Sequence, residues 1–206
     1  MIVYRDIISG DEMITDAFKL LPVVDKEGAT VRAELISLGH PLSAPTFSPH
    51  LPHAYPFQVE GLMMCESKMI TKSDDVDVGC GNAFGSGGDE DGGVDSTVQQ
   101  VNNVIDGFQL TETQIGTAAD FKSWIKEYMN LIVNKLKENK AGPEAVQGFK
   151  AQAPGIAKFF LQNFSDVQFF LGASFCADTM VFSIYPEGAL TPNFYFIMGG
   201  LKAEKF

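Results

Sequence analysis

Apolar residues spaced three and four apart run through only the middle of the chain. In GTAADFKSWIKEYMNLIVNKLKENKAGPE, Ala118, Phe121, Ile125, Tyr128, Ile132 and Leu136 fall on one stripe. Thr117 and Asp120 are start signals, and Gly142 followed by Pro143 is a stop. A second stripe, Val146, Phe149, Ala153, Ile156, Phe160 and Phe164, predicts a helix from Glu144 to Phe164 that Pro154 should kink or delay. The short connection makes the pair an antiparallel helical hairpin over 117–164. Strand-like runs occupy the two ends. MIVYRDII, VQFFLG, MVFSIY and NFYFIMGGL are β-branched and aromatic stretches bounded by Gly, Pro, Asp and Asn, and Pro186-Glu187-Gly188 reads as the turn between the last two. The fold class this predicts is α+β: 1–8 and 166–201 share one sheet, and the inserted hairpin forms a separate lobe with Phe121, Ile125 and Ile132 buried.

Two segments break this pattern. Residues 29–58 hold five of the ten prolines (Pro41, Pro45, Pro49, Pro52, Pro56) and all three histidines (His40, His50, His53), but only two charges, Arg32 and Glu34. Prolines at such spacing remove backbone donors and fix φ, so neither a helix nor a central strand can pass through. This reads as an irregular insertion. From Ser73 to Asp120 there are ten acids and no Lys or Arg, and the first half of that stretch contains VGCGNAFGSGGDEDGGV. Such a composition buries too little apolar surface to offset the entropy of ordering it, so 73–96 is expected to be a long flexible acidic loop.

Composition narrows the class. With 206 residues, 45% of them hydrophobic and 20% charged, the chain is expected to be a single soluble domain that needs no disulfide. A net charge of −11 repels phosphate backbones and anionic membrane surfaces, which argues against nucleic acid as a partner. Three cysteines (Cys65, Cys80, Cys176), with no C-x-x-C pair, are expected to be reduced thiols. Asp6, Asp11 and Glu12 interrupt the place of a signal peptide, and no apolar run approaches the ~18 residues of a membrane span, so the expected location is cytoplasmic.

The search for chemistry is short. There is no G-x-S-x-G, no Walker A lysine and no H-E-x-x-H. Gly79 and Gly81 sit too near Asp89, Glu90 and Asp91 to cradle a phosphate. His50 and His53 with Cys65 lack the second thiolate pair of a structural zinc site. An enzyme is therefore not expected. Asp89, Glu90, Asp91 and Asp95 can share a Ca²⁺ ion weakly, although no EF-hand register is present and a merely solubilising loop is the commoner outcome for such a stretch. Lys122, Lys126, Lys137 and Lys140 recur at helical intervals and make either a patch for an acidic polymer or an ordinary solvated face.

Taken together, MIVYRDIISGDEMITDAF, GNAFGSGGDEDGGVDSTVQQVNNVIDGFQL, FKSWIKEYMNLIVNKLKEN and FSDVQFFLGASFCADTMVFSIYPEGALTPNFYFIMGGLKAEKF resemble the translationally controlled tumour protein family, in that family's order. The closing block looks more like plant or algal members. The resemblance implies a mixed, twisted, tent-like β-sheet with a projecting helical hairpin and a flexible acidic loop. It also implies calcium binding, tubulin or microtubule association through the basic helical region, growth regulation, and contact with a Ras-superfamily small GTPase. Glu12 matches the family's GTPase-contacting acid, and Tyr4, Arg5 and Asp6 match its N-terminal signature.

Three departures qualify that expectation. Ala173 follows Gly172 where the family has an acid; the chain ends in Phe206 rather than cysteine; and the family has no counterpart to roughly residues 30–57. The Val31 codon must begin with GT, and Tyr55-Pro56-Phe57-Gln58 can be read as a pyrimidine-rich tract ending in CAG. Residues 31–58 are accordingly expected to be translated intron sequence with no function. The leading functional expectation is a non-enzymatic cytosolic regulator; the alternative is a chaperone-like stress holdase that works through exposed apolar surface.

Overall fold

A computed structural model describes residues 1–24, 58–72 and 99–206. The acidic loop 73–96 lies outside the described residues, as does the proline-rich segment 31–58 apart from Gln58. Eleven strands are described: β1 (Ile2–Asp6), β2 (Glu12–Thr15), β3 (Leu20–Val24), β4 (Gln58–Glu66), β5 (Met69–Lys72), β6 (Gln99–Asn102), β7 (Thr111–Thr113), β8 (Val167–Leu171), β9 (Val181–Ile184), β10 (Asn193–Ile197) and β11 (Leu201–Lys205). The described helices are α1 (Asn103–Gly107), α2 (Ala118–Glu138) and α3 (Pro143–Gln162).

The three aromatic strands β8, β9 and β10 lie inside a six-stranded sheet of order β3-β4-β10-β9-β8-β7. Side chains alternate across a strand, and here both faces are covered. Val167, Phe169, Phe182, Tyr195 and Ile197 enter a core shared with the helices. Phe170, Val181, Phe194 and Phe196 enter a second core, with Met13 and Ile14 of β2 and Val104, Phe108 and Leu110 around α1. Burial on both faces explains why these strands read as mainly apolar runs, interrupted in β8 and β9 only by Gln168 and Ser183, rather than as strictly alternating ones.

The α+β class holds, but the sheet differs from the single mixed one expected. Among the described residues every ladder is antiparallel, and the strands fall into three sheets: the six-stranded one, a three-stranded β11-β1-β2 and the ribbon β5-β6. The two ends of the chain do pair, Ile2 opposite Lys205 through Asp6 opposite Leu201. The run NFYFIMGGL, however, is not one strand. A 3₁₀ turn at Met198–Gly200 divides it, so β10 stays in the large sheet and β11 crosses to the small one. The glycines permit this: a Cβ on Gly199 would overlap the Phe149 ring of α3.

Thr117 caps α2, its Oγ1 accepting from the Asp120 N–H at 3.1 Å and donating to Asp120 Oδ2 at 2.7 Å. Phe121, Ile125, Tyr128, Met129 and Ile132 form its buried stripe. α3 begins at Pro143 and continues through Pro154 to Gln162, burying Val146, Phe149, Ile156 and Phe160. Phe160 and Phe182 lie 4.3 Å apart between ring centroids, and Phe121 is edge-on to both. The helices therefore close the large sheet's core and are not a separate lobe. Their apolar stripes are too wide to be satisfied by each other alone.

Candidate functional site

Tyr4, Arg5 and Asp6 lie on β1, and a turn reverses the chain into β2 at Glu12. The turn is closed by Asp6 N–H to the Asp11 carbonyl and Gly10 N–H to the Asp6 carbonyl, both 2.9 Å, and Gly10 supplies the positive φ of 82° it needs. Arg5 and Glu12 are cross-strand neighbours. Arg5 Nη2–H donates to Glu12 Oε1 at 2.6 Å; its Nε lies 3.5 Å from Glu204 Oε2, and its guanidinium stands 5.8 Å over the Phe206 ring. The Glu12 side chain remains 50% exposed, so this is an oriented but solvent-facing pair.

Asp6 differs from the expectation of a surface contact. It is 3% exposed, with Oδ2 accepting from the Ser9 N–H and hydroxyl at 3.2 Å each. Burial pushes its carboxyl above the ordinary range despite those bonds. The side chain is thus an internal fastener of the turn and cannot itself touch a partner. Tyr4 is half-buried against the second core. Of the N-terminal signature, Arg5 and Glu12 are the charged groups that reach solvent.

The loop 172–180 is brought against this edge. Asp11 Oδ2 accepts from the Ser174 hydroxyl at 2.6 Å and the Ser174 N–H at 3.2 Å. On the loop's other side Trp124 Nε1–H donates to the Ala177 carbonyl at 2.9 Å. Asp11, Ser174 and Trp124 escape a sequence reading, because nothing in the order of residues signals a bond between positions 11 and 174. Ala173 is exposed on this loop.

Lys122, Lys126, Lys137 and Lys140 are exposed. At ~100° per residue the first three lie within about 60° of one another around α2, Lys126 and Lys137 away from its buried stripe and Lys122 at the stripe's edge, about 20° from Met129. Lys140 stands just beyond the helix, with a φ of 53°. Asp89, Glu90, Asp91 and Asp95 lie outside the described residues, as do His50 and His53. Burial pushes the Cys65 thiol up to about 11, which disfavours the thiolate a zinc site would need. Among the described residues there is no cluster of three metal-ligating side chains, and no helix is long and apolar enough to cross a membrane.

Comparison with known proteins places this geometry. A Yarrowia lipolytica protein named translationally-controlled tumor protein homolog is 35% identical over 206 aligned positions, covering all of this chain and 99% of its own. A Schizosaccharomyces pombe protein of the same name is 30% identical, with both chains fully covered. The solved structure of the S. pombe translationally controlled tumor-associated protein p23fyp has a TM-score of 0.64 at 29% identity over the whole of both chains. The solution structure of the Caenorhabditis elegans protein, at 20% identity and a TM-score of 0.54, shares the fold. The profile of the translationally controlled tumour protein family matches residues 1–41 and 52–202, leaving out only 42–51 of the proline-rich segment. On that match and those relatives, the chain belongs to the translationally controlled tumour protein family.

Proposed function

We propose that the protein is a non-enzymatic cytoplasmic regulator that acts by protein contact. In this reading Glu12 faces a Ras-superfamily small GTPase, and the stripe of Lys122, Lys126, Lys137 and Lys140 faces the acidic surface of tubulin. Growth regulation follows from the first contact and microtubule association from the second. Calcium binding by Asp89, Glu90, Asp91 and Asp95 is a weak accessory property inferred from composition alone.

The observation that carries the reading is the Arg5–Glu12 pair. An exposed ion pair contributes about 0–1 kcal/mol, so a partner can replace Arg5 at little cost. What replaces it is a stronger cation: the basic, Mg²⁺-bearing phosphate region of a GTPase offers a carboxylate charge that the nucleotide otherwise satisfies. Cross-strand register keeps Glu12 in place before the partner arrives. Ala173 on the adjoining loop supplies no second acid, so binding is weak and nucleotide exchange slight.

A pull-down of a recombinant small GTPase with wild type, Glu12→Lys and Ala173→Glu proteins at low salt tests this. Retention should vanish for Glu12→Lys and increase for Ala173→Glu. Equal retention by all three would remove the GTPase contact. Microtubule co-sedimentation that is insensitive to Lys122→Glu combined with Lys126→Glu would remove the tubulin contact.

A further inference from the structure

Two buried polar atoms without a hydrogen-bond partner border one small cavity. They are Asp6 Oδ1 and Thr179 Oγ1, on residues 3% and 1% exposed. Ser9 serves only the other Asp6 oxygen, Oδ2, and the Thr179 backbone N–H is bound to the Cys176 carbonyl at 3.3 Å. Tyr128 lines the same cavity, with Met13, Val181 and Phe196 among its apolar walls. Three elements distant in the chain thus meet there: the end of β1, the middle of α2 and the loop before β9.

The Tyr128 side chain is held in place. Its ring stacks on Trp124 with centroids 5.1 Å apart, and an added Cβ on Gly200 would lie 2.8 Å from its hydroxyl oxygen. Burial first, and the charge of Asp6 second, push its phenol up, so it stays a neutral O–H.

A buried polar atom left unpaired forfeits its hydration, which is why such atoms are few in native folds. The cavity leaves about 10 Å³ for the centre of a water molecule, room for one. An apolar cavity of that size would stay dry; three polar side chains give a water the two to four partners it needs. A hard cation fits less well, because it takes about six or more oxygen ligands and the remaining side chains lining the cavity are apolar except for Tyr195.

We propose that this cavity binds a single internal water, which donates to Asp6 Oδ1, accepts from the Tyr128 hydroxyl and completes Thr179 Oγ1. The water links β1, α2 and the 172–180 loop. It holds the buried last part of that loop, as Asp11 holds its first part through Ser174.

The test is ¹⁷O relaxation dispersion of water in solutions of the full chain, which senses the water oxygen and is blind to exchanging hydroxyl protons. Wild type is compared with Thr179→Val, Tyr128→Phe and the double variant, alongside urea unfolding of all four. The amplitude from long-lived water should fall by about one molecule per protein in the double variant. Thr179→Val should lower the urea midpoint, and by less in the Tyr128→Phe background, because the two hydroxyls share one water. An unchanged or raised midpoint for Thr179→Val would mean that its hydroxyl has no partner, and the proposal fails. Equal amplitudes in wild type and double variant also overturn it, and a lowered midpoint would then report a direct bond from Thr179 to Asp6. Should the double variant not fold, a crystal structure of wild type decides: ordered solvent between Asp6 Oδ1 and Thr179 Oγ1 supports the site, and none there overturns it.

Discussion

The carboxylate of Asp11 occupies the space that a side chain at Gly172 would need: a Cβ there would lie 2.5 Å from Asp11 Oδ2 and 3.2 Å from Met13 Cε. The absence of that carbon lets Asp11 reach past position 172 to the N–H and hydroxyl of Ser174. One missing methyl group thereby joins the first β-turn of the chain to the loop after β8.

Gly172→Ala should therefore do more than a surface substitution does. Either the Asp11 carboxylate moves and releases Ser174, or the loop moves away from β2. Overpacking of this kind costs about 1–3 kcal/mol, readable as a lowered midpoint in urea unfolding with an unchanged slope. The amide of Ser174 should exchange faster in the variant. A midpoint equal to wild type would show that the clasp is not part of the folded ground state.

Asp6 makes a prediction about pH. Its folded carboxyl is raised from the ordinary 3.8 by burial, so the folded state holds that proton more tightly than the unfolded chain does. The group's favourable contribution is present below the unfolded value and is lost as pH rises through the raised folded value. Asp6→Asn cannot ionise. Thermal melts of the two proteins should show wild type gaining on Asp6→Asn as pH falls from neutral toward the unfolded aspartate value. The opposite trend would mean that the Ser9 bonds outweigh burial and that the ionised form is the one the fold favours.

The aromatic core offers a calibration of scale. Phe160 is fully buried and touches Phe121, Phe159, Phe182 and Tyr195. Its replacement by alanine should cost about 3–5 kcal/mol. Gly199→Ala pushes a methyl group into the Phe149 ring and should cost about 1–3 kcal/mol by displacing α3 from the turn that separates β10 from β11. Equilibrium denaturation of both variants checks the order; a neutral Gly199→Ala would contradict the packing at that turn.

Calcium should bind weakly. Asp89, Glu90, Asp91 and Asp95 lie within seven consecutive residues that also include Gly92 and Gly93, and ordering such a stretch around an ion costs backbone entropy at each residue held. A dissociation constant of about 10⁻⁴ to 10⁻³ M is expected from calorimetry. A submicromolar value would reveal a preformed site and overturn the flexible-loop expectation.

By itself the sequence determined the helices α2 and α3 and the strands β8 and β9, because each carries a local signature. A 3.6-residue stripe marks a helix with one buried side, and a mainly β-branched and aromatic run marks a strand buried on both. Strands with little or one-sided burial gave no such signal: β7, Thr111–Thr113, is polar and largely exposed, and β5, Met69–Lys72, is exposed throughout. The break at Met198–Gly200 is marked in the order of residues only by the Gly199-Gly200 pair inside an apolar run, which does not say that the chain leaves one sheet for another. Only the approach of the Phe149 ring turns Gly199 into a point where the chain changes sheets.

The site divides in the same way. Glu12, Tyr4, Arg5 and Asp6 were legible as a signature, because a resemblance compares residues in order. Which of them meets solvent was not, because exposure is decided by what packs alongside. Cross-strand register gave Arg5 to Glu12, and burial withdrew Asp6 into the turn. The bond from Ser174 to Asp11 spans 163 positions. No local pattern encodes a contact at that separation; it exists because β2 and the end of β8 are carried to the same edge of the fold.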